Sequence, residues 1–185
     1  MGAYLDVVFS IVIGSLVLLM IFSFNLDMVG KSNINNLYAA VQKNGFDMQE
    51  ILRNDLKKIG LGVPADTAKF IIADSTRLKF KTDYNLDGVV NEIYYYLGSS
   101  SSANFTVNPN DRLLYRKVDN NTPETYTIGI INFRFTYYNN SGNQTSDLNA
   151  IRQIEYNYYI ESVVDYNGEY PGIYIQGKIT PKNLE

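Results

Sequence analysis

The most chemically suggestive spacing in the chain is Asp83-Tyr84-Asn85-Leu86-Asp87-Gly88. Oxygen-bearing side chains recur at every second position, and a glycine follows that permits the sharp turn needed to aim them at one ion, as in the first half of an EF-hand loop. Val90 stands where such loops carry an apolar residue. Glu92 offers a further carboxylate two positions earlier than the usual bidentate glutamate, and the Val89 carbonyl completes the set. Asp83, Asn85, Asp87, Val89 and Glu92 are therefore the expected ligands of a weakly held calcium ion that orders a loop. Aspartate, asparagine and glycine between two strands are equally what an ordinary hairpin needs, so both readings stand.

Other chemistry is restricted by composition. With no cysteine and no histidine among 185 residues, disulfides, thiol catalysis and imidazole acid–base chemistry are excluded. The carboxylates Asp74, Asp111, Glu124, Glu155 and Glu161 are scattered, the 99–102 serine run has no neighbouring base to activate it, and no glycine loop of the phosphate-cradling kind occurs. No catalytic residue is expected, and the chain reads as a non-enzyme. A net charge of −3, with no basic run longer than Lys57-Lys58, argues against nucleic acid as a partner. Sequons such as Asn104-Phe105-Thr106 are expected by chance in so asparagine-rich a chain.

The elements that would carry these residues are unevenly distributed. Residues 7–24 contain no charge; as a helix they would extend roughly 27 Å, enough to cross a bilayer core. A secretory signal fits poorly, because MGAYLD lacks a base and FSFNLD lacks a small-residue cleavage site. A membrane anchor and a helix buried in an assembly remain, and the two are compatible. Ser10 and Gly14, four apart, form a small-xxx-small arrangement that lets helix backbones approach closely; Ser and Gly are also simply tolerated in membrane helices. Lys31 and Lys43 follow the apolar run and no base precedes it, so charge asymmetry leans against export of the remainder.

Beyond residue 25, apolar positions recur at Leu26, Val29, Ile34, Leu37, Val41, Met48, Ile51, Leu52, Leu56 and Ile59, the spacing of an amphipathic helix. Gly30 and Asn44-Gly45 predict kinks or a break, Asp47 a helix restart, and Gly60 its end. The expected organisation is a transmembrane or filament-core helix over 1–25, an amphipathic continuation over 26–60, and an antiparallel β-rich head over 61–185. From residue 68 the period becomes two. It predicts strands at 69–73, 77–81, 92–97, 112–117, 129–138, 151–162 and 172–180, joined by loops rich in Gly, Ser and Asn. The fold class is α+β, a meander laid over a helix. Tyrosine is abundant, 16 in all. Tyr94, Tyr95, Tyr96, Tyr156, Tyr158 and Tyr159 would line both faces of the sheet, and at least one row is expected to face a partner rather than serve only as a strand former.

The order of these features resembles a known family. After the hydrophobic helix come Ile51-Leu52-Arg53-Asn54-Asp55-Leu56-Lys57-Lys58-Ile59-Gly60-Leu61-Gly62, an Asp-Gly loop, and Leu114-Tyr115-Arg116. Ile128-Gly129-Ile130-Ile131-Asn132-Phe133, Ile151-Arg152-Gln153-Ile154 and Thr180-Pro181-Lys182-Asn183-Leu184 follow. Taken in that order, they resemble the W-type minor pilins and J-type minor pseudopilins of type IV pili and type II secretion systems. The resemblance spans residues 46–185 and the anchor, and it rests on the order of the motifs. It implies a pilin fold, a helix that packs in a filament core, a head outside the cytoplasmic membrane, and other pilin-like subunits as partners. It is set against the charge asymmetry on the question of orientation. Pilin precursors carry a short basic leader before the helix, and this sequence departs from the family there, which leaves leader-peptidase processing, and with it assembly by the standard machine, an open question at this point. Removal of Met1 would make Gly2 the first residue and Asp6 the fifth, where the resemblance implies an acid that pairs with a neighbouring subunit's terminal amine. Gly2, Asp6, Ser10 and Gly14 are accordingly the expected assembly residues. The rival expectation is a solitary, membrane-tethered binding or scaffold domain that does not polymerise.

Overall fold

The computed structural model describes residues 2–184, so the expected loss of Met1 lies outside the described residues. The chain divides into two compact units, Met1–Leu37 and Tyr38–Glu185. One helix, α1 (Gly2–Lys57), occupies the first and contributes its last turns to the second.

In the first unit the apolar side chains point into open space on every side of the helix, Phe9, Ile13, Leu16, Met20 and Phe24 among them. The segment is long enough and apolar enough to cross a membrane. The predicted break does not occur: Gly30 and Asn44-Gly45 both lie within α1. Asp47 is not a cap but a mid-helix partner of Lys43, with Nζ to Oδ2 at 2.6 Å, one turn apart.

In the second unit, seven strands follow: β1 (Phe70–Ala73), β2 (Arg77–Thr82), β3 (Asn91–Leu97), β4 (Arg112–Val118), β5 (Glu124–Tyr138), β6 (Gln153–Glu161) and β7 (Gly172–Ile179). They pair antiparallel in chain order, a complete meander. The seven expected strands are all present, and the largest difference is at β5, which begins five residues earlier. Alternation explains why they form: along β6, Ile154, Tyr156, Tyr158 and Ile160 are buried, and the residues between them are partly exposed. The sheet curls. The Phe135 amide in β5 donates to the Ser75 carbonyl in the β1–β2 turn at 2.7 Å, and the Tyr137 hydroxyl to the Asp74 carbonyl at 2.9 Å. At Gly129, whose φ is +89°, a side chain would meet the Glu161 carbonyl oxygen at 2.5 Å. The close approach of β5 to β6 beside the bulge between Ile130 and Asn132 therefore requires glycine.

Into the concave face goes the final stretch of α1, through Val41, Gly45, Met48, Leu52, Asp55 and Leu56. The apolar members of this stripe join Leu78, Phe80, Ile93, Phe133, Ile154 and Tyr158 in one core. Gly45, read from sequence as a break, is a contact point: a Cβ there would lie 2.7 Å from Ile175 Cδ1 and 3.0 Å from Ile173 Cδ1. Its carbonyl accepts a hydrogen bond from the Tyr158 hydroxyl at 2.7 Å. Helix and sheet approach there because no side chain intervenes. Beyond Lys57, Gly60 adopts φ +79° and its amide donates to the Lys81 carbonyl at 3.0 Å, while Thr82 Oγ1 donates to the Lys58 carbonyl at 2.7 Å. The Lys58 carbonyl just past the helix end is thereby taken up by β2.

Candidate functional site

Two groups of residues bear on the expected interactions, one in each unit. On α1, Gly2, Asp6, Ser10 and Gly14 follow at intervals of four, so they share one slowly drifting stripe. All are exposed in the single chain, and a Cβ at Gly14 would meet nothing within 4 Å. Ser10 Oγ donates to the Asp6 carbonyl, and Ser15 Oγ to that of Ile11, each at 2.7 Å. The hydroxyls are thus satisfied within their own helix, which makes them compatible with an apolar surrounding. What is left is a shallow strip bearing one acid.

In the head, the sheet separates the tyrosines by face. Tyr95, Tyr156 and Tyr158 are buried against α1, and Tyr94, Tyr96 and Tyr159 lie on the other face, partly exposed. On that outer face Tyr94 stacks on Tyr96 with ring centroids 4.9 Å apart, and Tyr96 on Tyr115 at 5.1 Å. Lys79 and Lys117 flank Tyr94 in the neighbouring strands. A rigid aromatic ladder with basic neighbours is a surface of the kind that protein partners use.

Residues 83–90 form the turn between β2 and β3, and Glu92 already lies in β3. Asp83 accepts amide hydrogen bonds from Asp87 at 3.1 Å and Gly88 at 2.9 Å, one on each carboxylate oxygen. Asp87 accepts from Asn85 Nδ2 and from the Val89 amide, both at 2.8 Å. Glu92 points elsewhere and pairs with Lys79 Nζ at 2.6 Å. The carboxylates thus close the loop on itself, keeping further lone pairs. Among the described residues no three Asp, Glu, His or Cys side chains gather as a metal-holding group.

Sequence reasoning missed a buried polar cluster beneath the sheet. Asp55 Oδ2 accepts from both Arg116 Nε and the Tyr95 hydroxyl, each at 2.6 Å. The Arg116 guanidinium lies 5.7 Å from the ring centroids of both Tyr84 and Tyr126, so the cation is paired and also faces two π surfaces. Burial opposes the Arg116 charge, but the hydrogen bond to Asp55 and the attraction of its carboxylate outweigh it and raise the guanidinium pKa. Burial, with the Asp55 charge added, drives the Tyr95 hydroxyl well above the usual phenol range. One signal was available: Asp55 occupies the buried stripe Met48-Leu52-Leu56, where an unpaired acid would be costly.

No protein-family model matches the chain, and no curated protein matches it.

Proposed function

We propose that the protein is a structural subunit of a type IV pilus-like or pseudopilus filament, non-enzymatic, held first in the cytoplasmic membrane by α1 and then in a filament through the same helix. The observation that carries this reading is the all-round exposure of the uncharged apolar residues 7–24 of α1, a continuous stretch long enough to cross a membrane. Such a surface needs lipid or protein around it. The Gly2, Asp6, Ser10, Gly14 strip supports close packing of like helices, and a lone acid near the helix start is better tolerated when paired with a neighbour's amine than when left in the apolar layer. The antiparallel meander wrapped on residues 41–56 is consistent with a pilin head exported beyond the membrane. The Tyr94–Tyr96–Tyr115 ladder favours a second reading, a membrane-tethered scaffold that binds an envelope partner without polymerising.

Electron microscopy of sheared extracellular material, with mass spectrometry of the polypeptide's N-terminus, separates the two. Filaments that contain the chain and vanish with Asp6→Ala or Gly14→Leu, while membrane levels hold, are expected of the subunit. A chain found only in membranes, indifferent to both substitutions, would leave the tethered scaffold.

A further inference from the structure

A second polar feature lies apart from both groups above. Asp111 is 1% exposed, and neither of its carboxylate oxygens has a hydrogen-bond partner. It closes the turn that begins at Asn108, with its amide donating to the Asn108 carbonyl at 3.2 Å. The buried Asn108 side chain donates from Nδ2 to Glu161 Oε2 at 2.9 Å and to the Ser162 carbonyl at 3.4 Å, and its Oδ1 accepts from the Asn110 amide at 3.0 Å. The loop before β4 is thereby fastened to the end of β6, where Glu161 stands.

The donors nearby are already committed. Asn108 Nδ2 serves Glu161 and Ser162, and the Thr106 hydroxyl directs its proton to the Ala103 carbonyl at 2.9 Å. Among the described residues, neither Asp111 nor Glu161 has an ion-pair partner. Burial raises the Asp111 pKa, and the Glu161 charge adds to the rise. A desolvated carboxylate without donors is costly, and a second carboxylate at its side makes it more so. The available atoms are almost all oxygens with free lone pairs, which a hard cation satisfies and a hydrogen-bond donor here does not.

We propose that Asp111 and Glu161 hold a calcium-class divalent cation, with the Thr106 hydroxyl oxygen and loop carbonyls as neutral ligands, tying the loop that precedes β4 to the end of β6. Two carboxylates make this a weak site of the extracellular kind, with a Kd on the order of 0.5 mM. Glu161 is only half-buried and provides the route of entry. The site is distinct from the 83–90 turn, and it stands whether the chain polymerises or not.

The test is thermal unfolding of the full chain in detergent micelles, with Ca2+ against chelator and with Mg2+ as control. At about 5 mM Ca2+ the midpoint should rise by about 4 °C. Asp111→Asn and Glu161→Gln should abolish the rise, whereas Asp87→Asn, in the β2–β3 turn, should keep it. No rise in the wild type, a rise that survives Asp111→Asn, or one that disappears with Asp87→Asn overturns the proposal. Should Asp111→Asn fail to fold, calorimetric titration of the wild type with Ca2+ decides together with Glu161→Gln. Saturable binding lost in that variant upholds the site, and absent or unaltered binding rejects it.

Discussion

Asp55 and Arg116 are 61 residues apart in the chain, yet Nε of one donates to Oδ2 of the other at 2.6 Å, each residue only 8% exposed. The pair joins the last turns of α1 to β4. Removing one partner strands a buried charge, so Asp55→Ala or Arg116→Ala should destabilise the head by about 3–5 kcal/mol in urea unfolding. The double variant Asp55→Leu/Arg116→Met should cost clearly less than the sum of the two alanine variants, since no charge is then left unpaired. Additive losses would show that the two residues act separately.

Three buried tyrosines make a prediction at high pH. Burial, chiefly, raises the pKa of Tyr95, Tyr137 and Tyr158 above the usual value of 10.0. In the unfolded chain these phenols lose their protons near that value, whereas in the folded chain they keep them. The folded state then binds more protons, and its stability falls as pH rises. The contribution is complete below about pH 10 and declines above it, by roughly 1.4 kcal/mol per pH unit for each phenol held back. With no tryptophan in the chain, absorbance near 295 nm follows phenolate directly. Ionisation of these tyrosines should appear as a late step that coincides with loss of circular dichroism. A single smooth titration with retained structure would refute the burial argument.

At Gly45 the outcome depends on space. Alanine would gain helix propensity worth about 1 kcal/mol but must push two isoleucine methyls aside. Gly45→Val has a smaller gain, set against more bulk, and should lose about 2–3 kcal/mol through overpacking. Tyr158→Phe, which removes only the hydrogen bond to the Gly45 carbonyl, should lose about 1 kcal/mol. A neutral Gly45→Val would mean that α1 does not approach β7 as closely as the contacts with Ile173 and Ile175 require.

Much of the architecture could be read locally. The apolar helix stands out because residues 7–24 carry no charge, and the strands because Phe133, Phe135 and Tyr137 alternate with polar residues. At Ile131 the alternation misleads, because the bulge between Ile130 and Asn132 puts Ile130 in the core and leaves Ile131 partly exposed. The split of tyrosines between faces follows from the same alternation, as Tyr94, Tyr95 and Tyr96 demonstrate.

Glycine was ambiguous. In sequence, Gly45 signals a poor helix former; in space it is the gap through which α1 reaches β7, and the contact that decides between these is more than a hundred residues away. Asp55 and Asp111 were likewise unremarkable as letters among scattered acids. Periodicity places a residue on a face, and composition sets what a chain can carry; by themselves they determined the long apolar helix, the seven strands and their inward and outward sides. Which buried acid meets an arginine and which is left without a partner is decided only when distant strands are brought together, because the energy of a charge depends on the groups within a few ångströms of it, and for Asp55 those groups come from β3 and β4.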